Sequence, residues 1–213
     1  MSEIPAFRQR VDDFALLFRM KLASLGPMSK KQYSLAMLID ENDLASHSFS
    51  DLTLVNETAF RPMRAKSSDR SPHGNIGITG QRSFLQQIPF RDLVVRVTPY
   101  SSQEMAIANV LHADGSIVHD PTRRVEMPTA EHTEQLEIEG LDNVFAHQES
   151  LVTGDLKFKV LFIFSHVGQV LFSVQVSSRS DAWTWEEAAT ITGIQADKIR
   201  QTSAVLSKIF NQL

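Results

Sequence analysis

The sequence predicts a β-rich α+β protein whose antiparallel core, about eight strands in a β-sandwich or jelly-roll-like arrangement, is flanked by helices at both ends. Three features predict it. Leu156 to Ser178, LKFKVLFIFSHVGQVLFSVQVSS, reads as two long apolar strands around a turn at Ser165-His166-Val167-Gly168. Short alternating runs separated by turn formers recur through residues 49–179. Helical periodicity, by contrast, is confined to the two ends.

In chain order, Phe7, Val11, Phe14, Phe18, Leu22 and Leu25 recur at spacings of three and four, so Pro5 to Leu25 is predicted as an amphipathic helix ended by Gly26-Pro27. Ser29 is placed to cap a second helix running through Tyr33 to Ile39, although the same run suits a strand. FSDLTLV from Phe49 alternates as a strand, and residues 56–82 then offer turn formers and positive charge with little periodicity, a long basic loop. FRDLVVRVTPY from Phe90 is a clear strand closed by Pro99. AIANVLHADGSIVHD from Ala106 is predicted as a hairpin, because Asp-Gly is a preferred tight-turn pair. Weak strands are expected near Val125 and in EQLEIEGL from Glu134.

In the long hairpin, Leu156, Phe158, Val160, Phe162 and Phe164 share one face, and Val170, Phe172, Val174 and Val176 are taken as the matching face of the return strand. Each large side chain, fully buried, contributes about 2 kcal/mol. Leu161 and Ile163 make the first strand apolar on both sides, as a central strand would be. At the C-terminus, Thr184 and Glu187 are spaced as a capping box. A helix, a break at Gly193-Ile194 and a longer helix bearing Ile199, Leu206, Ile209 and Leu213 are expected to follow.

With 213 residues and 42% hydrophobic content, one domain is expected over 1–213: a helical region 1–48, a β core 49–179 containing the loop 56–82, and C-terminal helices 180–213. Cysteine is absent, which excludes disulfides, thiolate metal sites and a cysteine nucleophile. No signal peptide and no run of about 18 uncharged apolar residues is evident, so the expected location is intracellular, in the cytoplasm or in a virion, with peripheral membrane contact left open.

The net charge of -4 conceals an internal alternation. Arg61 to Val97 holds seven basic residues against Asp69 and Asp92, and Thr98 to Asp155 holds eleven acids against Arg123 and Arg124. Solvated surface is the ordinary explanation. The sharper one is a basic and an acidic patch on different sides, suited to head-to-tail self-association.

No phosphate loop, dinucleotide fingerprint, nucleophile elbow or zincin helix occurs, and HGNIGITG lacks the lysine of a phosphate cradle. His112, Asp114, His119 and Asp120 lie within nine residues and are types that bind metal or run acid–base chemistry. The two histidines sit on opposite arms of the predicted hairpin, so a structural hairpin is preferred and a metal-assisted enzyme at His112, Asp114 and His119 is a third alternative. His132 and His147 are expected in exposed acidic loops, and Trp183 and Trp185 as packing anchors.

Ala189, Gly193 and Ile199 stand where helix-turn-helix DNA-binding units carry a small residue, a turn glycine and a buried aliphatic residue, and the segment resembles such units over about 20 residues. The resemblance implies that Gln195, Lys198, Arg200 and Gln201 would face a major groove. The whole pattern also resembles small viral structural, matrix and movement proteins built as a β-sandwich with terminal helices. LVVRVTP from Leu93 followed by AIANVLHAD ending at Asp114 is similar to the strand pair and aspartate of the movement-protein superfamily. Those families tend to be more basic or to carry a basic N-terminal arm, which this chain lacks.

The function expected is therefore a non-enzymatic assembly or interaction protein, a homo-oligomer without cofactor, of viral structural, matrix or movement type. Arg61, Arg64, Lys66 and Arg70 are the expected contacts to an RNA or DNA backbone or to an acidic neighbour. A helix-turn-helix DNA-binding regulator over 184–210 is the first alternative.

Overall fold

A computed structural model describes residues 27–60, 78–100, 102–116, 132–134, 136–153, 155–179 and 181–211. The helix expected over Pro5 to Leu25, the basic residues Arg61, Arg64, Lys66 and Arg70, and His119 with Asp120 lie outside them.

The chain opens with α1 (Pro27–Ala36), then α2 (Glu41–Ala45) and the strands β1 (Thr53–Phe60), β2 (Thr79–Gln86) and β3 (Arg91–Pro99). Next come α3 (Gln103–Ser116), β4 (His132–Glu134), β5 (Phe145–Thr153), β6 (Leu156–Val167), β7 (Val170–Ser178) and α4 (Trp185–Asn211). All pairings are antiparallel, and the seven strands form one sheet in the order β1-β2-β3-β7-β6-β5-β4. Two meanders, β1 to β3 and β4 to β7, thus meet where β3 pairs with β7. The α+β, β-rich class holds. A second sheet, which a sandwich requires, is not formed by the described residues; helices take its place.

Helices can do so because the sheet's two faces differ. Phe84, Leu93, Val95, Val97, Leu161, Ile163, Phe172, Val174 and Val176 point to one side and are buried against Tyr33, Met37, Leu44, Trp183, Ala188, Ile191 and Ile199 from α1, α2 and α4 with their flanks. Register corrects the face expected for the long hairpin: Leu161 pairs with Val176 and Ile163 with Val174. The core face of β6 is therefore Leu161 and Ile163, while Phe158, Phe162 and Phe164 lie half-buried on the opposite face. The turn is Gly168-Gln169, and Gly168 alone has positive φ, at 54°. Glycine first is the pattern of a type II′ hairpin turn.

Three further expectations are corrected. Residues 106–116 are helix, not hairpin: Ala106 and Val110, one turn apart, are both buried, and Met105 donates its N–H to the Ser102 hydroxyl at the helix start. An Asp-Gly pair signals a hairpin only between alternating runs, and this run has a four-residue period. The basic loop is shorter than expected, since Asn56–Phe60 belongs to β1 and Thr79–Arg82 to β2. Finally, α4 runs unbroken through Gly193. Its buried stripe, Ala188, Ile191, Thr192, Gln195, Ala196 and Ile199, keeps one helical face on the core on both sides of Gly193.

Candidate functional site

The C-terminal helix turns a second stripe away from the core. Glu186, Ala189, Thr190, Gly193, Asp197 and Arg200 face the irregular segment 136–140, and with Trp185 the two walls enclose a groove of about 950 Å³. Its apolar surface comes from Leu136, Ile138, Trp185, Ala189 and the bare backbone of Gly193. A Cβ built on Gly193 meets nothing within 4 Å, so packing does not require glycine there. Glycine in a helix interior costs about 1 kcal/mol relative to alanine. What the missing methyl provides is open groove floor.

Arg200 builds the end wall. Its guanidinium donates to Asp197 Oδ1 at 2.6 Å and to the Gly140 carbonyl at 2.6 Å, tying the 138–141 turn to the helix. Gly140 has φ of 73°, which favours glycine, and a Cβ there would stand 3.0 Å from Arg200 Nη2, so the guanidinium would have to shift slightly. With Asp197 neutralised by Arg200, the rim retains Glu137, Glu139 and Glu186, all exposed and without a cation partner among the described residues. The groove is therefore apolar below and anionic above. The N-terminus of α4 is set by the expected capping box: the Thr184 N–H donates to Glu187 Oε2 at 3.0 Å and the Glu187 N–H to Thr184 Oγ1 at 3.2 Å.

The residues proposed to read DNA are occupied elsewhere. Gln195 is fully buried, accepting from the Ile39 N–H and donating to the Met37 carbonyl. Lys198 Nζ donates to Asp40 Oδ2 at 3.0 Å and Asp43 Oδ2 at 2.7 Å. Burial alone would lower the lysine's pKa, but the hydrogen bonds and charges of Asp43 and Asp40 outweigh it and raise it. Asp40 is likewise lowered: burial raises it, and Lys198 with the Asp43 and Asn42 N–H groups overcomes that. Arg200 closes the groove, and only Gln201 stands exposed and outside these contacts. Without a turn at Gly193 and with three of four contacts committed internally, the helix-turn-helix alternative fails on geometry.

His112 and Asp114 fall in α3, so the hairpin that would have brought two arms together around a metal is absent. Among the described residues no group of three metal-ligating side chains occurs. Both tryptophans pack on the core as expected: Trp183 is 1% exposed with the Arg91 guanidinium 3.7 Å from its ring centroid, and Trp185, half-buried against the core, also borders the groove.

Two polar clusters lie on the sheet face opposite the main core. His147, expected in an exposed loop, is instead buried in β5, its Nε2 3.0 Å from Glu149 Oε1 and its ring stacked on Phe162 at 4.8 Å. Its Nδ1 has no partner. Across β2, β3 and β7, Arg96 donates to Gln81 Oε1 at 2.8 Å and Gln175 Oε1 at 3.2 Å, while Ser177 donates to Asp92 at 3.1 Å. Burial raises the Asp92 pKa, with Ser177 and Arg96 offsetting part of the rise.

No known protein family matches the chain, and no curated protein is similar to it. Among solved structures it is similar to the extracellular domain of PknH from Mycobacterium tuberculosis, at TM-score 0.56 and 12% identity over 80% of this chain and 96% of that one. A protein from Bacteroides thetaiotaomicron VPI-5482 matches at TM-score 0.36 and 8% identity, over 68% of this chain and 44% of that one. That first likeness is one of fold alone, and a shared fold carries no function with it.

Proposed function

We propose that this chain is a non-catalytic interaction protein that self-associates head to tail, the acidic groove of one copy taking the basic segment of the next. The observation that carries the proposal is the rim of Glu137, Glu139 and Glu186, three carboxylates without a cation partner among the described residues, set above an apolar floor. The sequence from Phe60 to Arg70, FRPMRAKSSDR, supplies the complement: Arg61, Arg64, Lys66 and Arg70 against a single Asp69, with Phe60 and Met63 for the floor. Phe60 ends β1 at one edge of the sheet, and the groove wall 136–140 leads into β5 near the other edge. That separation favours a neighbour's groove over the molecule's own. A heterologous contact of this kind closes into rings or continues as filaments.

The test is light scattering across protein concentration at low and high salt, together with titration of a synthetic peptide of residues 60–70 followed by Trp185 fluorescence. Charge pairing predicts association and peptide binding that weaken as salt shortens the Debye length below about 10 Å. Replacing Glu137, Glu139 and Glu186 together by Gln is expected to weaken peptide binding at least tenfold. A monomer at every concentration that ignores the peptide overturns the proposal. So does protein that purifies with bound nucleic acid and keeps it when the three glutamates are changed, since the four cations would then serve a polyanion.

A further inference from the structure

One row of paired residues crosses five strands at one end of the sheet: Gln86, Arg91, Ser178, Lys159 and Ser150. Beyond that row project the β2–β3 turn and the β5–β6 hairpin. On them stand four of the seven exposed large apolar residues: Ile88, 89% exposed, Val152, 65% exposed, Leu151 and Leu156. At about 3.3 Å per residue, Val152 and Leu156 reach about 7 to 10 Å past the row. With strands about 4.8 Å apart, the two tips are separated by about 14 Å. The opposite end has no comparable set among the described residues; Phe60 is the exposed apolar residue there.

Cations occupy the level between the tips. Arg179, exposed at the end of β7, holds its guanidinium 5.3 Å from the Phe90 ring centroid and 5.7 Å from that of Phe158, and the two rings pack edge to face at 5.8 Å. Lys157 is exposed beside Leu156. Lys159 is neutralised by Asp181 at 3.0 Å, which leaves Lys157 and Arg179 against Asp155.

We propose that this end of the sheet is a membrane-surface contact, with Ile88, Val152 and Leu156 entering the acyl boundary of an anionic bilayer while Arg179 and Lys157 meet its phosphates. Protein interfaces concentrate apolar side chains in a contiguous centre depleted of charge. Here the apolar groups are separate and protruding, and the charge lies between them. That alternation suits the interfacial layer of a bilayer, where tips bury apolar area a few ångströms deep and cations add attraction to anionic headgroups. No helix among the described residues is long and apolar enough to cross a membrane, and the contact proposed is a surface one. The site is independent of the groove.

Co-sedimentation of the full chain with vesicles of phosphatidylcholine alone, or mixed with phosphatidylglycerol, tests the proposal. Binding is expected to the mixed vesicles and to be weaker with phosphatidylcholine. The Ile88→Gln/Val152→Gln pair should weaken it at least tenfold, Arg179→Gln should weaken it chiefly for anionic vesicles, and Gln201→Ala, on the exposed face of the C-terminal helix, should leave it unchanged. Because the chain has no cysteine, Ile88→Cys can carry a single environment-sensitive dye, whose emission should shift blue on binding and be quenched by nitroxide lipids. Absence of binding to both vesicle types overturns the proposal. So does binding that survives the double substitution, or a lipid-free dimer that the double substitution dissociates.

Discussion

Gln195 accepts the backbone N–H of Ile39 at 3.1 Å, and its amide donates in turn to the carbonyl of Met37 at 2.7 Å. One side chain of the C-terminal helix thereby satisfies two backbone groups in the buried run that follows α1. Gln195→Leu would bury both without partners, at about 1 to 3 kcal/mol for each group. Urea denaturation is expected to show a loss of about 2 to 4 kcal/mol, while Gln201→Ala on the exposed face should stay within about 0.5 kcal/mol of wild type. Equal effects would refute the bridging role.

That bridge also explains what the sequence could convey. The β6–β7 hairpin was legible because its strands are apolar over many residues, and β3 because Leu93, Val95 and Val97 alternate cleanly. The faces read for β7 and β3 hold, whereas that of β6 failed because the strand is apolar on both sides, and only register reveals that Leu161 rather than Phe162 meets Val176. Strand β5 was invisible because its buried positions include His147 and Glu149, which read as loop. Gly193 read as a turn because a glycine lining a groove and a glycine breaking a helix look alike until the second wall, 136–140, is in place. That wall is about fifty residues away in sequence.

Lys198, Asp40 and Asp43 should give stability a pH dependence at both extremes. The folded-state pKa of Asp40 lies below its ordinary 3.8, so its contribution is present above that value and is lost as pH falls through the lower folded value. Lys198 is raised above 10.5, so its contribution is present below 10.5 and lost as pH rises through the higher folded value. The groups are partly exposed, which limits the effect to less than about 1 kcal/mol. Lys198→Met should lower stability slightly at neutral pH and flatten both limbs in denaturation midpoints measured across pH. Limbs left intact by the substitution would place their origin elsewhere.

The His147–Glu149 pair should show strong coupling. Removing one partner strands the other in a buried, aromatic setting, at about 1 to 3 kcal/mol for a buried polar group left unsatisfied. His147→Phe and Glu149→Leu are each expected to destabilise by about that amount. The double variant, which leaves no polar orphan beside Phe162 and Phe164, should lose less than the sum of the two. A double-mutant cycle by urea denaturation measures this directly, and simple additivity would mean that the 3.0 Å contact carries no energy.

Two glycines separate folding from binding. A Cβ on Gly80 would stand 2.9 Å from the Ser34 carbonyl oxygen and 3.0 Å from its carbon, a clash with helix backbone that cannot rotate away. Gly80→Ala should therefore destabilise, by about 1 to 3 kcal/mol as overpacking does. Gly193→Ala meets no atom and lies in a helix interior, so it should stabilise by about 1 kcal/mol. The added methyl projects into the groove between Ala189 and Asp197, where the peptide of residues 60–70 is proposed to bind. Thermal melts and peptide titration on the same sample should then move in opposite directions, the Tm rising and the affinity falling severalfold. Folding damage cannot produce that pair of signs. If stability rises while affinity stays at the wild-type value, the helix keeps its glycine for some other purpose and the groove is not where the basic segment docks.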